Sequence, residues 1–193
     1  MQALADLPDA DISYYPDFLN TAERDRLFVF FRETIAWRQD PIRIFGKTYP
    51  QPRLTALYGN NGKPYTYSGL TMHPIPFGPE LAALKTRVET FCGAEFTSCL
   101  FNLYRDGADS NGWHADNEKE LGANPVIASV SLGAIRRFKL KHRKYNDRRT
   151  SLDLEPGSLL LMQGTTQHHW LHEIPKTRKS VGPRINLTFR KIL

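Results

Sequence analysis

Residues 184–190 read Arg184-Ile185-Asn186-Leu187-Thr188-Phe189-Arg190, and the alternation does not break. Ile185, Leu187 and Phe189 make one apolar face; Arg184, Asn186, Thr188 and Arg190 make a polar one, the period-two pattern of a β-strand. An antiparallel strand of this kind ordinarily turns its polar side to water. Working back along the chain, further runs with strand character lie at residues 42–45, 54–58, 96–104, 126–132, 136–142 and 158–162. Two segments read as helices. The first follows Asn20, an N-cap with Glu23 three residues on, and carries Leu27, Phe28, Phe30, Phe31 and Ile35. The second opens Gly78-Pro79-Glu80, presents Leu81, Leu84, Val88 and Phe91, and stops at Gly93. Two early helices followed by many short strands predict an α+β, mainly β fold, with the helices packed on one sheet of an antiparallel sandwich or jelly roll.

A length of 193 residues suits one domain with a sizeable core, and 40% hydrophobic with 24% charged residues is an ordinary globular composition. No apolar run approaches the roughly 20 residues needed to span a bilayer. The first residues lack a basic region followed by a long apolar one, so no secretory signal is expected. Cys92 and Cys99 form neither a CxxC pair nor a disulfide framework, which predicts a reduced, cytoplasmic setting. The net charge of +6 is uneven. Asp6, Asp9, Asp11 and Asp17 make the first twenty residues acidic, while Arg136, Arg137, Lys139, Lys141, Arg143, Lys144, Arg148 and Arg149 form a basic stripe with Asp147 alone against them. Such a stripe suits either a phosphate backbone or a solvated hairpin.

The chemistry begins at His114-Ala115-Asp116. On an extended segment residues i and i+2 share a face, so imidazole and carboxylate can converge on one ion. A triplet of this kind also arises in surface turns. It gains weight from a second cluster, His168-His169-Trp170-Leu171-His172. Two nitrogens and one carboxylate on one metal face are the facial triad of non-haem Fe(II) oxygenases, with open positions for co-substrate and dioxygen. Zinc fits a closed site with a fourth ligand. Read as strand, the second cluster puts His168 and His172 on one face and His169 on the other, so spacing leaves the third ligand open. Arg184 and Arg190, about 20 Å apart along their strand at ~3.3 Å per residue, could still reach the two ends of a short dicarboxylate. Iron beside a dicarboxylate clamp points to 2-oxoglutarate.

Five ordered blocks then make the chain recognisable: Asn102-Leu103-Tyr104, residues 112–116, 125–133 and 157–160, and Pro183 through Leu193. From about Ile42 to Leu193 the sequence resembles the AlkB family of Fe(II)/2-oxoglutarate-dependent nucleic-acid demethylases, in particular its DNA-acting subgroup. The resemblance implies a double-stranded β-helix (jelly roll) and a single dioxygenase domain over 1–193. Within it, residues 1–41 form an N-terminal extension and helix, 42–69 a substrate-recognition lid, and 96–193 the jelly-roll core. It implies His172 as the third iron ligand beside His114 and Asp116. It implies Asn102, Tyr104, Arg184, Asn186 and Arg190 as partners of 2-oxoglutarate. The implied activity is direct-reversal repair of DNA alkylation damage: oxidative demethylation of bases such as 1-methyladenine and 3-methylcytosine, using Fe(II), 2-oxoglutarate and O2 and releasing succinate, CO2 and formaldehyde.

The front of the match bears on substrate. Ile44-Phe45-Gly46 resembles a hydrophobic finger whose aromatic wedge fills the gap left by a flipped base. Arg53 matches a basic position that supports the finger and contacts DNA. Tyr67 would stack on the alkylated ring opposite His114, with Tyr65 and Ser68 supplying hydrogen bonds and Glu118 reading the exocyclic amino group. Tyr67 stands where the family subgroup carries Phe, and Asn117 replaces an acid. The expected partner is alkylated DNA, with no membrane, and the expected state is a monomer. Two alternatives are an RNA demethylase of the same chemistry and a non-catalytic jelly roll that binds nucleic acid through the basic stripe.

Overall fold

The computed structural model describes residues 2–3, 7–44, 47–67 and 70–193. In chain order the elements begin with β1 (Gln2–Ala3), β2 (Asp11–Tyr15), α1 (Thr21–Thr34), β3 (Pro41–Ile44), β4 (Lys47–Pro50) and β5 (Leu54–Gly59). There follow β6 (Tyr65–Tyr67), β7 (Leu70–Met72), α2 (Pro79–Cys92), β8 (Ser98–Tyr104), β9 (Asn111–His114) and β10 (Ile127–Gly133). The chain ends with β11 (Arg136–His142), β12 (Arg149–Leu154), β13 (Leu159–Gln163), α3 (Thr166–His169), β14 (Trp170–Ile174) and β15 (Arg184–Arg190). A large antiparallel sheet runs β1-β2-β13-β10-β15-β8-β5, and a small one runs β12-β11-β14-β9. The two face one another as a jelly roll. Two hairpins, β3–β4 and β6–β7, stand apart from both sheets.

Both predicted helices form. The Asn20 side chain accepts from the Glu23 amide to start α1, and Gly93, left-handed at φ 63°, ends α2. They cover the outer side of the large sheet: Leu27, Phe31, Leu81, Leu84 and Val88 share one core with Ile185, Leu187 and Phe189 of β15. A second core fills the space between the sheets and joins Leu100, Ile127 and Leu160 to Phe138, Leu140 and Trp170. β15 therefore has no water-facing side. Every residue from Arg184 to Arg190 is buried. The polar face that an exposed strand would give to solvent points inward between the sheets, because the helices claim the apolar one.

Some elements depart from the sequence expectation. β2, from the acidic start of the chain, extends the large sheet along β13, with Ile12 and Tyr14 buried. β5, expected as a strand over 54–58, forms and pairs with β8, which joins this part of segment 42–69 to the large sheet. The segment read as one strand over 168–172 is divided: His168 and His169 belong to the single helical turn α3, and the strand begins only at Trp170. The face-sharing argument for His168 and His172 fails for that reason. Of the basic stripe, Arg136 alone leaves the surface, while the other seven residues stay exposed or half-buried. Arg136 is buried, and its guanidinium donates to the carbonyls of Asp106, Asp109 and Pro175 at 2.9, 2.8 and 2.7 Å. Arg137 pairs with Asp153 and Lys139 with Glu173 on the outer face of the small sheet.

Candidate metal centre and dicarboxylate clamp

The inner faces of the two sheets surround a pocket of about 200 Å³. His114 closes β9, and His172 sits directly opposite it on β14. Side chains of a cross-strand pair stand on one face, and the two rings come within 4.2 Å between centroids. Asp116 lies just past the end of β9. The candidate ligand atoms of His114, Asp116 and His172 all fall within 4.8 Å of one another. Phe138 stacks on the His172 ring at 5.2 Å and limits its rotation.

Tautomer and charge both suit a divalent cation. His114 Nδ1–H donates to the Gly112 carbonyl at 2.7 Å, which leaves Nε2 without a proton; Nε2 accepts from Asn111 at 3.1 Å. Burial lowers His114, and burial together with neighbouring His114 pulls His172 down to about 3. Burial alone would raise Asp116, but the Arg190 charge and then the two imidazoles hold its carboxyl at about 2. Two neutral imidazoles beside an ionised carboxylate are the protonation state that metal binding requires. Arg190 Nη2 donates to Asp116 Oδ1 at 2.8 Å, so the ligand carboxylate is also held in orientation.

The polar face of β15 continues the site. Arg184 lies opposite Tyr104, and Asn186 opposite Asn102, in the β15–β8 register. Arg184 is 1% exposed, and Nη2 donates to Ser131 at 2.8 Å. Its Nε and Nη1 are buried with no hydrogen-bond partner among the described residues. Burial pulls this guanidinium down to about 10. A buried cation with two unsatisfied donors calls for an anion, and a carboxylate matches its planar fork. Asn186 is bound to Ser129 and to the Val130 carbonyl, and its Oδ1 accepts from Thr188. These donors and the triad line one pocket, so the residues present fit both an iron and a dicarboxylate.

The residues expected to meet substrate are placed less uniformly. Tyr65 and Glu118 line the same pocket, and each is within hydrogen-bonding reach of the other. Glu118 Oε2 is buried without a partner among the described residues, and burial, then the nearby Asp116 charge, raises its carboxyl. Arg53, matched to a basic position that supports the finger and contacts DNA, is 5% exposed in the pocket wall, where Nε donates to Asn102 Oδ1 at 2.8 Å. Its strand neighbourhood explains this, since it directly precedes β5 beside β8. Phe45 and Ser68 lie outside the described residues, as does the side chain of Tyr67.

Sequence reasoning passed over Ser129, Ser131, Asn111 and Gln167. The two serines alternate along β10 and carry a period-two signal; Asn111 and Gln167 carry none. A second cluster, Asp9, His142 and His169, also gathers ligand atoms within 4.8 Å. There His142 Nδ1 accepts the amides of Lys144 and Tyr145 at 3.1 Å each, so Nε2 holds the proton and donates to Asp9 at 3.4 Å. A protonated Nε2 offers no lone pair, and the cluster is an anchor for the N-terminal segment rather than a metal centre.

A jelly roll holding two histidines and a carboxylate on one metal face, next to a buried arginine, defines a non-haem iron oxygenase architecture. The chain belongs to the 2OG-Fe(II) oxygenase superfamily, whose family model matches residues 11–190. It is 41% identical over 190 residues to human alpha-ketoglutarate-dependent dioxygenase alkB homolog 3, covering 94% of this chain and 66% of that protein. It is 40% identical over 189 residues to human DNA oxidative demethylase ALKBH2, covering 93% and 72%. The chain thus spans just under two thirds of the homolog 3 proteins, and identity does not separate the two relatives. The solved structure of OsALKBH1 superposes with a TM-score of 0.67 at 19% identity, over 93% of this chain and 97% of that one, which supports the fold alone. Among the described residues no helix is long and apolar enough to cross a membrane.

Proposed function

We propose that the chain is an Fe(II)/2-oxoglutarate-dependent dioxygenase that removes N-methyl groups from alkylated bases in DNA. One observation carries the reading: a triad of half-buried His114 with buried Asp116 and His172, in a metal-ready protonation state, shares its pocket with a buried guanidinium that has two unsatisfied donors. With Fe(II), 2-oxoglutarate and O2 bound, the centre would supply oxidation of the N-methyl carbon, with succinate, CO2 and formaldehyde as products.

The chain's own residues bind, orient and screen. His114, Asp116 and His172 would hold the metal. Arg184 takes the distal carboxylate of the co-substrate, with Tyr104 beside it; Asn102 and Asn186 line its length. Arg190 serves chiefly by fixing Asp116. Bases such as 1-methyladenine and 3-methylcytosine carry positive charge and cannot pair normally, so extruding them costs less than the few kcal/mol of an intact base. Glu118 Oε2 is the acceptor for an exocyclic amino group, and Tyr65 holds that carboxyl in place. Residues 42–69 supply the rest of the lid, with Phe45 as wedge, Tyr67 as stacking partner and Ser68 as a hydrogen-bonding group. Arg53, tied to Asn102, supports the co-substrate wall from behind the lid. The proposed setting is a reducing one, supported by two free cysteines, Cys92 and Cys99.

The test is incubation of 1-methyladenine DNA with the protein, Fe(II), 2-oxoglutarate and ascorbate, read by mass spectrometry, with methylated RNA as a second arm. Restored adenine and formaldehyde from DNA are expected. Turnover confined to RNA would overturn the DNA reading, and no turnover of either with iron bound would overturn the demethylase.

A further inference from the structure

The backbone amide of Asp116 poses a problem that the sheet does not solve. β9 ends at His114, and its pairing with β14 ends at the His114–His172 pair, so Ala115 and Asp116 have no ladder partner. Asp116 is nevertheless buried, at 3% exposure, and a buried amide without an acceptor is strongly disfavoured. Its N–H donates to Gln167 Oε1 at 2.9 Å. Gln167 is 1% exposed, and its Nε2 in turn donates to the Met162 sulfur at 3.5 Å. Gln167 sits in the turn α3, which leads straight into β14 and His172. That turn is itself pinned: Thr166 Oγ1 accepts the Asp11 amide at 2.8 Å and donates to the Gln163 carbonyl at 2.6 Å.

We propose that Gln167 is a positioning residue for the metal centre: its side-chain carbonyl replaces the missing ladder bond at Asp116 and locks the carboxylate ligand to the turn that launches His172. Arg190 orients the Asp116 carboxylate from one side, and Gln167 fixes its backbone from the other. Two ligands from distant parts of the chain are thereby held at a set spacing before a metal arrives. A neutral acceptor suits the place, since it satisfies the amide without adding negative charge beside Asp116. The inference deepens the metal-centre reading and rests on it.

The experiment uses the full chain and Co(II) alone as probe, followed by calorimetry and by the visible absorption of the bound ion. Gln167→Met keeps the volume and removes the acceptor; Gln167→Glu keeps a side-chain oxygen at the same reach to accept the Asp116 amide. Co(II) affinity is expected to fall about tenfold or more in Q167M and to return to within about threefold of the parent in Q167E. Parent-like binding by Q167M, or equal losses in both variants, would overturn the role. Should Q167M not fold, amide exchange in the metal-free parent decides. The Asp116 amide is expected to exchange about a hundredfold more slowly than that of exposed Asn117, and equal rates would overturn the proposal. A parent chain that binds no Co(II) would instead remove the metal centre itself, a result distinct from normal binding by Q167M.

Discussion

Arg190 and Asp116 form a buried ion pair, with Nη2 and Oδ1 at 2.8 Å and side-chain exposures of 6% and 5%. A pair so far from water is not a general source of stability, because desolvation offsets much of the attraction. Here its consequence is local. One carboxylate oxygen is fixed and the carboxyl stays ionised, which leaves the other oxygen to a cation.

Replacing Arg190 with Met leaves that carboxylate buried and unpaired. The expected loss of metal-free stability is about 3–5 kcal/mol, measured by denaturant unfolding. Metal affinity at neutral pH falls with it, because Asp116 then titrates upward. Calorimetry with Mn(II) at pH 6 and pH 8 checks this: the variant recovers part of its affinity at the higher pH, and the parent does not change.

Arg184→Met separates the clamp from the centre. The KM for 2-oxoglutarate is expected to rise about 100-fold, on the scale of removing a bidentate, charge-assisted contact, while Mn(II) affinity stays within about twofold. Arg184→Lys recovers little, since a single ammonium cannot reproduce the fork. Steady-state kinetics against co-substrate and Mn(II) titration together read the split.

Acid has a defined effect on the metal-free protein. His172 lies at about 3 when folded against about 6.5 unfolded, so below pH 6.5 the unfolded chain takes up a proton that the folded one refuses. Asp116, at about 2 against roughly 3.9 unfolded, adds a stabilising contribution present above that value and lost as pH falls through 2. Both act in the same direction, and stability falls as pH drops from 6.5 to 3. Melting temperature against pH is the measurement. His172→Gln flattens the upper part of that decline, from pH 6.5 to about 4.

Phe45 carries the duplex expectation. Phe45→Ala is expected to reduce repair of 1-methyladenine in double strands by about tenfold or more, on the scale of the few kcal/mol of an unstacked step, and to spare single strands. Equal losses on both, in a side-by-side kinetic comparison, would remove the wedge.

Much of this is legible in the sequence, and what is not has physical causes. β15 is readable to the residue, because so strict an alternation is a strand pattern. What its pattern could not say was that both faces are buried; that depends on α1 and α2 covering Ile185, Leu187 and Phe189 from outside. His114 and Asp116 stood out by spacing. His172 did not, since its parity with His168 presumed one strand where a helical turn intervenes. β2 was hidden in an acidic segment and owes its conformation to pairing with β13. Gln167 carries no local signal at all; only the end of β9 shows why it is needed.

The most direct test of the central claim is anaerobic equilibrium dialysis of Fe(II) and labelled 2-oxoglutarate against the parent chain, His172→Ala and Arg184→Met. One iron per parent chain is expected, with one 2-oxoglutarate retained only when iron is present. The histidine variant loses both, and the arginine variant loses the acid alone. Iron retained undiminished by His172→Ala would contradict the assignment of the metal centre.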